Sequence, residues 1–180
     1  MKRYFAVAAI MIATSCTNTN QKVALSADST TTDQASDTAA VVSVQLKDTS
    51  VQAIYNGYLS LKDALVSSKF EEAKKAAAAL KINLSGYKGC ENTAVTAGKM
   101  VTAKDLAAQR KDFTALSSDL IAMFKHADIE KGAIYVQHCP MANNGDGGDW
   151  LASEKKIQNP YYGDEMMECG AVLEELKPAK

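Results

Sequence analysis

Between Val51 and Ala127 the apolar residues recur at three- and four-residue spacing, and beyond Gly132 that spacing stops. A chain patterned this way buries one face of several helices against each other and completes the domain with a different kind of element. The first stripe runs through Val51, Ile54, Tyr55, Tyr58, Leu61, Ala64 and Leu65, with Asp48 to Ser50 as N-cap candidates and an end near Ser67. Ser68 and Glu71 have the spacing of a capping box, which predicts a second helix through Phe70, Ala73, Ala77, Leu80 and Leu84, broken at Gly86 and Gly89. Residues 86–100 show no clear period. The run Thr102-Ala103-Lys104-Asp105 predicts the start of a third helix, with Val101 and Leu106 as a hydrophobic staple. Its stripe is Leu106, Phe113, Leu116, Leu120, Met123, Phe124 and Ala127, ended by Gly132. Short connections between such helices predict antiparallel neighbours.

After Gly132 the β-branched and aromatic run 133–138 reads as a strand. Residues 143–149, with three glycines, read as a loop, residues 159–163 as a turn, and 164–169 as a single helical turn. Residues 170–176 are expected to form a second strand pairing with 133–138. The expected class is therefore mainly α with a small β element (α+β): an antiparallel bundle of three to four helices, then a loop-rich C-terminal part with a short β-hairpin.

The N-terminus carries an address. Lys2 and Arg3 precede the apolar stretch Tyr4 to Ala13, which has the length of an export-signal core and is too short to span a bilayer. Ala13-Thr14-Ser15-Cys16 resembles a bacterial lipoprotein lipobox, which implies cleavage before Cys16 and lipidation of its thiol. The predicted organisation is a signal peptide at 1–15, a lipidated Cys16 and flexible tether at 16–47, and one globular domain at 48–180. The tether is rich in Thr, Ser, Asn, Asp and Ala and too poor in large apolar side chains to offset its chain entropy. Only Val41, Val42, Val44 and Leu46 alternate, as a short strand would. The expected location is the cell envelope, anchored to a membrane by lipid and facing the periplasm, because the residues after Cys16 lack an acidic run.

Several function classes are disfavoured. The formal net charge is −1, which does not support a nucleic-acid footprint. No Cys-x-x-Cys, Cys-x-x-Cys-His or His-Glu-x-x-His occurs, so the signatures of zinc fingers, c-type haem, zincins and thiol oxidoreductases are missing. Asp146 and Asp149 sit in the Gly-rich loop without the EF-hand order, and Glu154, Glu165 and Glu168 read as solvated surface charge. An enzyme is not expected.

The residues that can carry chemistry are His138-Cys139-Pro140-Met141 and Met166-Met167-Glu168-Cys169. Thiolate, thioether and imidazole suit Cu(I) and similar soft ions, because polarizable sulfur donors match the ion's own electron cloud. Cys139, Met141, Cys169, Met166 and His138 are the candidate ligands, and Pro140 limits the freedom of its neighbours. Trp150 and Tyr161 are candidates to shield them from water. In an oxidising compartment the same cysteines have another use. With Cys16 lipidated, Cys90, Cys139 and Cys169 allow one internal disulfide, either Cys139–Cys169 or Cys90–Cys139. The alternative to a metal protein is thus a non-enzymatic interaction module with a structural Cys139–Cys169 disulfide.

The stretches Tyr135 to Ala142, Trp150-Leu151, Ile157 to Gly163 and Met166 to Gly170, together with Tyr58 to Leu65 and Gln109-Arg110-x-x-Phe113, resemble one family, the bacterial domain of unknown function 3347, over about 50–178. The resemblance implies an exported or lipid-anchored protein of a Gram-negative bacterium, associated with periplasmic adaptors of copper/silver-type efflux systems. It also implies Cys139, Met141, Met166 and Cys169 as motif residues, with Trp150, Asn159, Pro160, Tyr161 and Gly163 as structural members. His138 stands where the family commonly has Tyr.

Overall fold

Helix α1 (Thr49–Val66) begins where the sequence offers an acceptor for its orphan amides. In this computed structural model, which describes residues 43–179, Asp48 Oδ1 accepts from the Ser50 and Val51 amides at 2.7 and 3.2 Å. Such a cap contributes about 1 kcal/mol. The expected signal peptide, Cys16 and the tether as far as residue 42 lie outside the described residues.

Helix α2 (Phe70–Ser85) starts differently from the expected capping box. Lys69 occupies the N-cap with no side-chain hydrogen bond, and Ser68 is left-handed at φ 53°. The chain reverses tightly between α1 and α2, and the Ser68 hydroxyl is committed elsewhere, accepting from Arg110 Nη2 at 3.0 Å. Residues 86–100, which show no period in sequence, contain most of a further helix, α3 (Glu91–Thr102). Its buried positions are Thr93, Ala94, Ala97 and Met100, mostly small side chains that make a weak stripe. Thr102 therefore ends α3 rather than opening the next helix. Helix α4 (Leu106–Phe124) takes Asp105 as its N-cap, with Oδ1 accepting the Ala108 amide at 2.8 Å.

Each helix packs against the next, and α4 carries the sheet. Ala73 and Ala77 are fully buried on α2, and Gly57 of α1 lies against Leu80 so closely that a Cβ would stand 3.4 Å from its side chain. Tyr58 stacks on Phe113 at 5.5 Å and Tyr55 meets Phe124 edge-on at 5.3 Å, joining α1 to α4.

Two small antiparallel sheets complete the α+β fold. Strand β1 (Gln45–Leu46) pairs with β2 (Ile129–Lys131). Strand β3 (Ile134–Cys139) lies between β4 (Gly148–Ala152) and β5 (Ala171–Leu176), in the order β4-β3-β5. The pairing of β3 with β5 matches the sequence expectation, with Ile134 opposite Leu176 and His138 opposite Ala171. Strand β4 was not legible, since the Gly-rich loop stops at Gly147 and Trp150 lies inside the sheet opposite Gln137. Lys62 on α1 is buried, its ammonium 2.6 Å from Asp63 and 3.7 Å from Glu154, which follows β4.

Candidate functional site

Strand β3 delivers Cys139 at its end, and the chain turns at once. The Ala142 amide donates to the Cys139 carbonyl at 3.3 Å, and the Gly147 amide donates to the Ala142 carbonyl at 2.9 Å. The Tyr162 hydroxyl donates to the Met141 carbonyl at 2.5 Å. Cys139 is fully buried, whereas Met141 is 52 % exposed.

The second half of the site is built by Asn159, which is also fully buried. Its amide donates to the Met167 carbonyl at 2.9 Å and its Nδ2 donates to the Cys169 carbonyl at 3.1 Å. Its Oδ1 accepts the Tyr161 amide at 2.8 Å, and its carbonyl accepts the Gly163 amide at 2.9 Å. One side chain thus holds the Met166–Cys169 turn against the Pro160–Gly163 turn. Within the first of these turns the Cys169 amide donates to the Met166 carbonyl at 3.1 Å. Gly170 then enters β5 at φ +147°, where a Cβ would lie 2.6 Å from the His138 carbonyl oxygen and 3.1 Å from Trp150.

The turn at 160–163 docks on the helices. Arg110 Nε donates to the Pro160 carbonyl at 2.9 Å, and its Nη2 donates to the Leu65 carbonyl at 3.1 Å. Burial, partly opposed by Glu165, lowers the pKa of this guanidinium from its ordinary value. Gly163, at φ +58°, leaves no room for a side chain, since a Cβ would stand 2.5 Å from Ser68 Oγ and 2.8 Å from the Val66 carbonyl. Tyr161 packs edge-on against both Phe113 and Trp150, and its hydroxyl donates to the Asp149 carbonyl at 3.0 Å. Trp150 is fully buried. Trp150, Asn159, Pro160, Tyr161 and Gly163 therefore all occupy framework positions.

This framework brings Cys139 and Cys169 together, their sulfurs 2.7 Å apart across 30 residues of sequence. The Cys169 thiol is pushed up by its hydrogen bond to Cys139, then by burial and by the Cys139 charge, while the Met141 amide pulls it down. Met141 and Met166 stand two and three residues from a thiol, on the turns that carry the pair. His138 is held apart. Strand alternation places it on the face opposite Cys139, and its Nδ1 lies 2.7 Å from Asp149 Oδ1. An ionised carboxylate only accepts, so this nitrogen carries the hydrogen. Among the described residues no three His, Cys, Asp or Glu side chains gather into a cation site.

Cys90 lies elsewhere, at the N-cap of α3, with Sγ 3.9 Å from Met123 Sδ on α4. Burial raises its thiol pKa, with Glu91 and Asp119 adding to the shift. Of the two disulfide pairings left open by the sequence, the fold places only Cys139 and Cys169 in contact. Met123 reads in sequence only as part of a buried stripe.

Residues 54–132 match the family described as a protein of unknown function, DUF3347. This similarity to DUF3347 covers 79 of the 180 residues. The matched DUF3347 segment begins within α1 and ends one residue past β2, so it covers the helices and stops before β3. The sulfur pair and its Asn159 clamp lie outside the matched DUF3347 segment. No curated protein and no solved structure matches the chain.

Proposed function

We propose that this DUF3347-like chain is an exported, lipid-anchored protein without catalytic activity that binds a soft ion, Cu(I) or similar, and passes it to a periplasmic efflux adaptor. The observation that carries the reading is the meeting of the Cys139 and Cys169 sulfurs at 2.7 Å, with the thioethers of Met141 and Met166 on the two adjoining turns. In this reading the thiols are the principal donors and the thioethers complete the set. An ion about 2.3 Å from each sulfur needs the pair to open well beyond its present spacing. Cys169, only partly buried and followed by Gly170, is the member placed to move.

The same spacing favours a second reading, because it is much nearer to bridged sulfurs than to two separate ligands. Here Cys139–Cys169 is a structural disulfide in an interaction module that takes no metal. A bridge across 30 residues of sequence contributes about 3–4 kcal/mol, so reductant would lower stability by that amount.

The test is a free-thiol count on the full chain purified without reductant, followed by a Cu(I) competition titration of the reduced protein. Reactive Cys139 and Cys169, with one Cu(I) equivalent of the wild type lost in C139S/C169S, support the ion-binding reading. Unreactive Cys139 and Cys169, and a reduced chain that binds no more Cu(I) than C139S/C169S, leave the disulfide reading in its place.

A further inference from the structure

The second sulfur pair has the better spacing for an ion. Cys90 Sγ and Met123 Sδ are 3.9 Å apart, so an ion about 2.3 Å from each would make a sulfur–metal–sulfur angle of about 115°. At the 2.7 Å spacing of Cys139 and Cys169 the corresponding angle is only about 70°. Cys90 and Met123 also line a cleft of about 380 Å³, open to solvent between the start of α3 and the outer side of α4. Asp119 lines the same cleft, its Oδ2 accepting the Thr93 hydroxyl at 3.0 Å. Lys88 lines the cleft too and balances this carboxylate, so the two sulfurs and not the wall charge select the ion.

We propose that Cys90 and Met123 form a separate two-sulfur site for a soft monovalent cation, Cu(I) or Ag(I), with its third coordination position open to the cleft. On binding, the Cys90 thiol gives its proton to solvent and the sulfur takes the ion in its place, so the net charge at the site is unchanged. Thiolate and thioether are the donor types such ions select. The open position would admit a sulfur donor from another protein, which suits transfer better than storage. This site does not rest on the Cys139–Cys169 reading and persists if that pair is a disulfide.

The experiment is anaerobic titration of the full chain in detergent with Ag(I), and with Cu(I) against a chromophoric chelator. Wild type is compared with C139S/C169S, with the same double variant carrying C90S, and with it carrying M123L. The expected result is one equivalent retained by C139S/C169S, none after C90S is added, and at least tenfold weaker binding after M123L. Leucine is close to methionine in volume, so M123L tests the thioether even if C90S fails to fold. A C139S/C169S protein that binds no ion, or M123L binding as tightly as its parent, overturns the proposal. The second outcome would reduce the site to a lone thiol. Wild type that binds no more ion than C139S/C169S, with the Cys90 equivalent intact, would instead count against the function proposed above.

Discussion

The hydroxyl of Tyr58 accepts the Leu151 amide at 3.1 Å while standing 2.8 Å from the Ser117 hydroxyl, so one phenol fastens α1 to both β4 and α4. All of this lies in the core. Tyr58→Phe keeps the ring stacked on Phe113 but leaves a buried amide without its acceptor. Stability is expected to fall by about 1–3 kcal/mol, read from urea unfolding. Ser117→Ala, which leaves the amide satisfied, should cost less. Equal losses in the two variants would mean that the Leu151 contact contributes nothing.

Asn159 uses its side chain on both turns of the sulfur site. Asn159→Ala removes the bonds to the Cys169 carbonyl and the Tyr161 amide, and is expected to cost about 2–4 kcal/mol. Alkylation of Cys169 in the reduced protein should quicken at the same time. An unchanged alkylation rate beside lost stability would separate the clamp from the thiol geometry.

Gly163→Ala meets two obstacles together. The residue sits at φ +58°, and its Cβ would run into Ser68 and the Val66 carbonyl. The expected loss is about 1–3 kcal/mol from backbone strain and displacement, measured as a lowered urea midpoint. Gly89→Ala is the control, since it is also left-handed but has open space around it, and it should lose less.

Burial raises the pKa of the Tyr55, Tyr58 and Tyr161 phenols above their ordinary value, with Glu154 and Asp63 adding to the shift at Tyr55. In the unfolded chain these groups ionise near pH 10. Their contribution to stability is therefore complete below about pH 10 and is lost as pH climbs from there toward their folded values. The melting temperature should fall steeply above about pH 10, and tyrosinate absorbance from these three residues should rise only with unfolding. Full ionisation in a protein that is still folded would contradict the assignment.

What the sequence disclosed followed the size of its apolar side chains. Helix α1 and the α4 stripe announce themselves through large residues at helical spacing, and Asp48 caps where it should. Helix α3 hides because Ala94 and Ala97 bury little area individually, and β4 hides because Gly148 and Asp149 continue the composition of a loop. At the site, the sulfur residues were legible as residue types, and the framework residues only through the family resemblance. Their distances were not, because they depend on Asn159 and Arg110 reaching across turns that no periodicity describes. His138 stands next to Cys139 in sequence, yet strand alternation and Asp149 hold it away.

The antiparallel ladder between β3 and β5 has its sulfur pair at one end only, beside His138 and Ala171, while Ile134 and Leu176 face each other at the other. β5 is an edge strand whose first four residues are exposed. With Cys139 and Cys169 bridged, opening of this ladder would start at Leu176 and run back toward the sulfurs, which stay joined. Amide hydrogen exchange along β5 should therefore form a gradient, fastest at the C-terminal end and slowest beside Cys169. A load pulling on the C-terminus would peel the strand one residue at a time, while a load entering through Cys169 would meet the whole ladder in shear.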